Sequence, residues 1–248
     1  MNSTTLVTAF YNVYENDHKL GWSEQRKEWA KQLFELPIPI MVFCDSTESK
    51  ELLELLTNRP LTTIINKKKT EFQCWQTIQN MQMQLRLPNV RNPYKDTPYY
   101  MALVNCKPEI MMEAATQNPY NTTHFAWVDM GIAKITSTSA IMKELYHSLS
   151  RPNQMQGLVL PGIWEHVQHH IEQPNWRFAG GIFLGQQDAI ISFGQICIKY
   201  YASFLEETQT HLWEVNYWAW LEKHGLLPQP YKWLRSDHND TLIQCLAS

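Results

Sequence analysis

No two of the five cysteines, Cys44, Cys74, Cys106, Cys197 and Cys245, stand at the spacing of a zinc knuckle or a redox pair. Their scatter and odd number argue against a disulfide framework and for reduced thiols in a cytoplasmic setting. In that setting the sequons at Asn2, Asn121 and Asn239 carry no weight. There is no uninterrupted apolar run of about 18 residues, so no transmembrane helix is expected. The first strand signal starts at Thr5, which leaves no room for a signal peptide. Basic residues are not in excess: 21 Lys and Arg face 24 Asp and Glu, a net charge of −3. That balance gives no support to a nucleic-acid partner. A P-loop, a G-x-G-x-x-G after the first strand and a G-x-S-x-G elbow are all missing, which argues against kinases, classical dehydrogenases and α/β-hydrolases. Repeats and low-complexity linkers are missing too.

What is present is globular. The 248 residues are 44% hydrophobic and 18% charged, enough for one sizeable core. Thr5 to Tyr11 reads as a buried opening strand. Ser23 is a candidate N-cap for a helix to Phe34, with Trp29, Ala30, Leu33 and Phe34 on one face. Pro39 to Cys44 is a second strand, Glu48 to Leu56 a helix and Leu61 to Ile65 a third strand. This β-α-β-α-β order predicts a parallel sheet with right-handed crossovers. Phe72 to Leu85 reads as one helix. Tyr99 to Gln117 reads as helical, with Pro108 kinking or restarting it. Helices are expected at Ser137–Leu149, Gln186–Glu207 and His211–Leu221, and a short strand at Gly157–Pro161.

The central stretch is His124-Phe-Ala-Trp-Val-Asp-Met-Gly-Ile132. Phe125 to Val128 suit a strand buried on both faces. Asp129 stands where the apolar run stops, and Gly131 lets the chain turn. In open α/β sheets ligands bind outside the carboxyl ends of strands. Asp129 is therefore either a ligand for a cation or sugar hydroxyl, or a turn aspartate closing a core strand.

Other stretches leave similar choices. Lys67–Lys69 is either solvated surface or a phosphate contact. His166, His169 and His170 would share one face of a helix over Trp164–Ile171, as a metal site or as a hydrogen-bonded cluster. Gly180 and Gly181 inside an apolar strand mark either a close approach or a β-bulge. Glu214 and Asn216 are polar groups in an aromatic segment and need partners if buried. Asp237 and His238 fall in the tail.

Four segments in order, Thr5–Tyr11, Pro39–Asp45, Asn118-Pro-Tyr with Phe125–Ile132, and Gly180–Gly185, resemble the HtrL/YibB-like family of GT-A type glycosyltransferases. They also resemble sugar transferase domains of large algal viruses. The resemblance implies one GT-A-like α/β domain over residues 1–248, with a mostly parallel, Rossmann-like central sheet flanked by helices. Its nucleotide-binding half would span about 1–135 and its acceptor-side half about 136–248. It implies transfer of a sugar from a nucleotide-diphosphate sugar, UDP-linked by preference, to a glycan or other hydroxyl acceptor. Thr8, Ala9, Phe10, Tyr11 and Asp45 would then line the nucleoside pocket, and Gly180 and Gly181 would lie on the acceptor-side strand. Lys107 would contact phosphate, with Arg59 a further candidate, and Glu214 would be the catalytic base. The usual DxD motif falls on Trp127-Val-Asp129, where only one acidic position is kept. Mn²⁺ or Mg²⁺ held there by Asp129 would need a second ligand from the tail, His238 or Asp237. The competing expectations are a non-catalytic module of the same fold that binds a glycan or protein, and a nucleotidyltransferase.

Overall fold

The computed structural model describes residues 3–13, 22–151, 156–166 and 171–247. Seven strands form one sheet: β1 (Thr4–Phe10), β2 (Ile40–Cys44), β3 (Thr62–Asn66), β4 (His124–Val128), β5 (Leu158–Gly162), β6 (Ile182–Gln186) and β7 (Tyr231–Arg235). Their order across the sheet is β3-β2-β1-β4-β6-β5-β7. Every pairing is parallel except the two that β6 makes, with β4 and with β5. The chain is thus a single α/β domain with the expected, mostly parallel sheet. Two elements differ from the sequence reading: β6 runs against its neighbours, and β7 is an additional strand in the tail.

Nine α-helices flank the sheet among the described residues: α1 (Glu24–Phe34), α2 (Lys50–Leu56), α3 (Gln73–Asn80), α4 (Pro98–Asn105), α5 (Lys107–Gln117), α6 (Ser139–Ser150), α7 (Gln187–Thr208), α8 (Glu214–Lys223) and α9 (Thr241–Gln244). Strand side chains alternate between two cores. Val7, Phe43, Phe125, Trp127 and Phe183 face the core covered by α3, α4, α5, α7 and α8. Leu6, Val42, Ala126, Val128 and Leu184 face the one covered by α1, α2, α6 and α9. This two-residue alternation explains why β2 and β4 are apolar throughout, since both faces of the sheet are covered.

Local signals set the helix ends. Ser23 caps α1 by accepting a hydrogen bond from the Arg26 amide. The restart expected at Pro108 occurs: α4 stops, Cys106 makes the break, and Pro108 lies in the first turn of α5. The Phe72–Leu85 helix is shorter than its pattern, because α3 ends at Asn80. Gly180 and Gly181 lie in a turn ahead of β6, not inside it. Trp164 to His166 are not helical, and His169 and His170 lie outside the described residues.

Candidate active site

The strand order reverses at β1. The connection from β1 leads to β2 on one side, while β4 lies on the other. A crevice outside the carboxyl ends of such a pair is where doubly wound sheets bind ligands. Register places the candidates there. Phe10 pairs with Cys44, so Tyr11 and Asp45 follow together at the ends of β1 and β2. Val7 pairs with Trp127, so Ala9 and Asp129 lie two residues further on. Because β6 is antiparallel, its start lies at this same edge, and the Asp129 amide donates to the Gly181 carbonyl at 2.9 Å. The antiparallel strand thus brings the two glycines to the sheet edge that carries Asp129.

Lys107, at the first position of α5, is the hub. Its buried ammonium donates to Gly180 O at 2.9 Å, to Glu214 Oε1 at 2.7 Å and to Asp129 Oδ1 at 2.9 Å. An ammonium has three donors, and all three are used. The Lys107 that the resemblance places at phosphate here joins two carboxylates. Burial works against its charge, but the attraction of Asp129 and Glu214 outweighs burial and raises its pKa above the ordinary lysine value. The Trp127 ring lies beneath it at 5.6 Å, and the same indole donates to Asp129 Oδ1 at 2.7 Å.

The two carboxylates are used alike. Asp129 gives Oδ1 to Lys107 and Trp127, and its side chain is 41% exposed. Glu214, the first residue of α8, gives Oε1 to Lys107 and is buried. Among the described residues, Asp129 Oδ2 and Glu214 Oε2 accept no hydrogen bond. Gly180 is required by this packing. A Cβ there would lie 2.1 Å from Glu214 Oε1. Asn216, two residues on, accepts from the Asn175 amide and donates to Gln173 O, which ties α8 to the segment leading to the glycines.

The remaining predicted residues divide. At the end of β1, Thr8 and Tyr11 are buried, and neither hydroxyl has a hydrogen-bond partner among the described residues. Burial raises the Tyr11 pKa, and Phe10 packs edge-on against Trp22. Asp45 accepts from the amide and hydroxyl of Thr47; these bonds lower its pKa, helped by the charges of Lys68 and Lys69. Lys67 pairs with Glu113, and Lys69 bonds Asn12 O and Glu48, so those two members of the basic triplet brace the loops at this edge.

Arg59 is not part of the cluster. It precedes β3, at the opposite edge of the sheet. Its guanidinium donates to the carbonyls of Phe34, Leu36 and Ile38, which line the turn from α1 into β2. Such a planar fork satisfies several carbonyls at once, which a lysine cannot do. Arg59→Lys is therefore expected to cost about 1–3 kcal/mol of stability while leaving any nucleotide affinity unchanged. Chemical denaturation alongside calorimetric titration measures both.

His238 follows β7, stacks edge-on against Trp176 at 4.1 Å and is held below the ordinary histidine pKa chiefly by burial. Among the described residues, no three His, Cys, Asp or Glu side chains form a metal-holding group. The donor set at Asp129 is one outer oxygen. That suits a Mg²⁺ or Mn²⁺ ion carried largely by a ligand's phosphates, not one caged by protein alone.

The sequence reading missed Lys95. It lies in the loop 89–97 ahead of α4, in the electrostatic field of Asp96, Glu214 and Asp129. The available signal was a lysine in an Asn-Pro-Tyr-Lys-Asp turn just before Thr97, the N-cap of α4.

No protein-family model matches the chain, and no curated protein matches it, so the HtrL/YibB likeness remains a resemblance. Solved structures do align along most of its length. Mouse xyloside xylosyltransferase 1, in its apo form, is 10% identical with a TM-score of 0.49 over 92% of this chain and 84% of that one. The 4-diphosphocytidyl-2C-methyl-D-erythritol synthase of Anaerococcus prevotii is 8% identical with a TM-score of 0.47, over 98% and 94%. At these values neither assigns a family or a substrate. No helix among the described residues is long and apolar enough to cross a membrane.

Proposed function

We propose that this chain is a glycosyltransferase that moves a sugar from a nucleotide-diphosphate sugar, UDP-linked by preference, to a hydroxyl of a glycan or similar acceptor. One observation carries the reading. Asp129 and Glu214 are bridged by the buried Lys107 at the carboxyl edge of the sheet, and each keeps one oxygen uncommitted. The four-segment resemblance supports it. On this reading the nucleoside lies against Thr8–Tyr11 and Asp45, in the half up to about residue 135, and the acceptor enters from the half beyond it.

Glycosyl transfer needs two things from such a site. Negative charge grows on the leaving diphosphate, so positive charge must face it. An inverting transfer also needs a base for the acceptor proton. Glu214 Oε2 is our candidate for that base, since its other oxygen is held by Lys107 and the carboxylate cannot swing away. Asp129 Oδ2 is our candidate for holding a donor hydroxyl or a divalent cation. Mn²⁺ or Mg²⁺, when bound there, would act as a Lewis acid on the diphosphate.

Calorimetric titration of UDP-, GDP- and dTDP-sugars, each with Mn²⁺, Mg²⁺ or EDTA, tests the proposal. One nucleotide class should bind, and Asp129→Ala should weaken that binding. Glu214→Gln should keep donor binding but lose about 10²–10⁴-fold in transfer rate, the usual contribution of a general base. If no donor binds and none is hydrolysed under any metal, the transferase reading is wrong and a non-catalytic module takes its place.

A further inference from the structure

Lys107 leaves the site short of a mobile cation. Its three donors are spent inside the protein, and the two carboxylates it joins are half neutralised by one charge between them. The charge of Lys95 also reaches Asp129 and Glu214.

Its position is built. The Asn92 side chain accepts from the amides of Tyr94 and Lys95, and the Asn92 carbonyl accepts from the amides of Lys95 and Asp96. Asp96 closes the turn by accepting from the Asn92 amide through Oδ2. Through Oδ1 it accepts from the Trp213 indole, and Trp213 is the residue just before Glu214. The turn is thus latched to the start of α8. From it the Lys95 ammonium stands over the Tyr100 ring at 4.7 Å.

Among the described residues the ammonium forms no hydrogen bond and no ion pair. Both oxygens of Asp96 are taken by Asn92 and Trp213, and Asp129 and Glu214 each give one oxygen to Lys107. Burial lowers the Lys95 pKa, against the opposite pull of Asp96, Glu214 and Asp129. A half-buried cation over a ring, on a turn that is hydrogen-bonded to the residue just before Glu214, is a place for a ligand anion.

We propose that Lys95 is the anion-binding residue of this crevice and takes the diphosphate of the bound nucleotide. The inference rests on the glycosyltransferase reading and extends it by naming the side chain that meets the phosphates. Tyr100 holds the ammonium without neutralising it, and the Asp96–Trp213 bond ties the turn to the residue before Glu214.

The test uses the full chain with UDP, inorganic pyrophosphate and uridine as probes, titrated calorimetrically with and without Mn²⁺. Lys95→Gln should weaken UDP and pyrophosphate binding by roughly ten- to a hundredfold, the usual loss of a hydrogen bond to a charged group. The same variant should leave uridine binding unchanged and flatten the dependence of UDP affinity on salt. Lys95→Arg should keep most of the affinity, and both variants should melt with the wild type, because the side chain holds no hydrogen bond in the fold. Equal UDP affinity in wild type and Lys95→Gln would overturn the role of Lys95 while leaving the transferase reading in place. Binding of neither UDP nor pyrophosphate to the wild type would overturn the diphosphate site and the UDP preference, whereas the transferase reading fails only if no nucleotide sugar of any class binds.

Discussion

Lys107→Met is expected to lower stability by about 3–5 kcal/mol, the cost of breaking a buried ion pair from one side. The lysine is the shared counter-charge of Glu214 and Asp129. Methionine keeps much of the stem volume, so the loss is electrostatic and not a cavity effect. Most of it falls on Glu214, which is buried; Asp129 is partly exposed and is screened by water. The Gly180 carbonyl loses its donor as well. The cost should shrink in acid, because an unpaired buried carboxylate can shed its charge by taking a proton. In the wild type the sign is opposite. The Lys107 pKa is raised on folding, so its contribution is complete below the unfolded lysine value of about 10.4 and is lost as pH rises through the folded value. Urea denaturation of both proteins at mildly acid and at neutral pH measures the difference. A variant as stable as wild type at neutral pH would show that the bridge contributes no stability.

The sheet was largely readable because burial on both faces leaves an uninterrupted apolar run. Val42 and Phe43 face different cores, as do Ala126 and Trp127, and no solvent face intervenes. The order of β1, α1, β2, α2 and β3 follows from such runs and from caps such as Ser23. The direction of β6 was not readable. Ile182–Gln186 is as apolar as a parallel strand would be, and periodicity carries no information on direction. β7 was missed for the opposite reason: Tyr231, Lys232, Trp233 and Arg235 keep a partly polar, partly exposed edge, so no apolar run marks the strand.

The site divides in the same way. Asp129 was visible because it ends an apolar strand, and Glu214 because it is a charge in an aromatic helix. That they share one lysine was not visible, since Lys107 and Glu214 lie 107 positions apart. Arg59 looked like a ligand because a lone arginine before a strand carries no sign of its partners. Its partners are backbone carbonyls, which no residue type announces. Lys95 was passed over because the same turn residues that make a loop legible hide a lysine whose surroundings come from α4 and the start of α8.

Gly180→Ala should displace the Glu214 carboxylate and cost about 1–3 kcal/mol, the range for overpacking a filled interior. The obstacle is space and not backbone strain. The new Cβ would meet Glu214 Oε1 at 2.1 Å, Cδ at 2.8 Å and Cγ at 3.1 Å. A free glutamate would move aside at little cost. Here Oε1 is fixed by Lys107, which is itself held by the Gly180 carbonyl and Asp129, so moving one group disturbs all of them. If Glu214 is the base, the same change should remove transfer while donor binding at β1 and β4 survives. A double-mutant cycle with Glu214→Ala separates steric conflict from other effects. Alanine at 214 removes all three clashing atoms, so Gly180→Ala should cost almost nothing in that background. The two changes should then depart from additivity by about 1–3 kcal/mol, within the range for residues in direct contact. Additive costs would mean that Gly180 is needed for some reason other than room for Glu214.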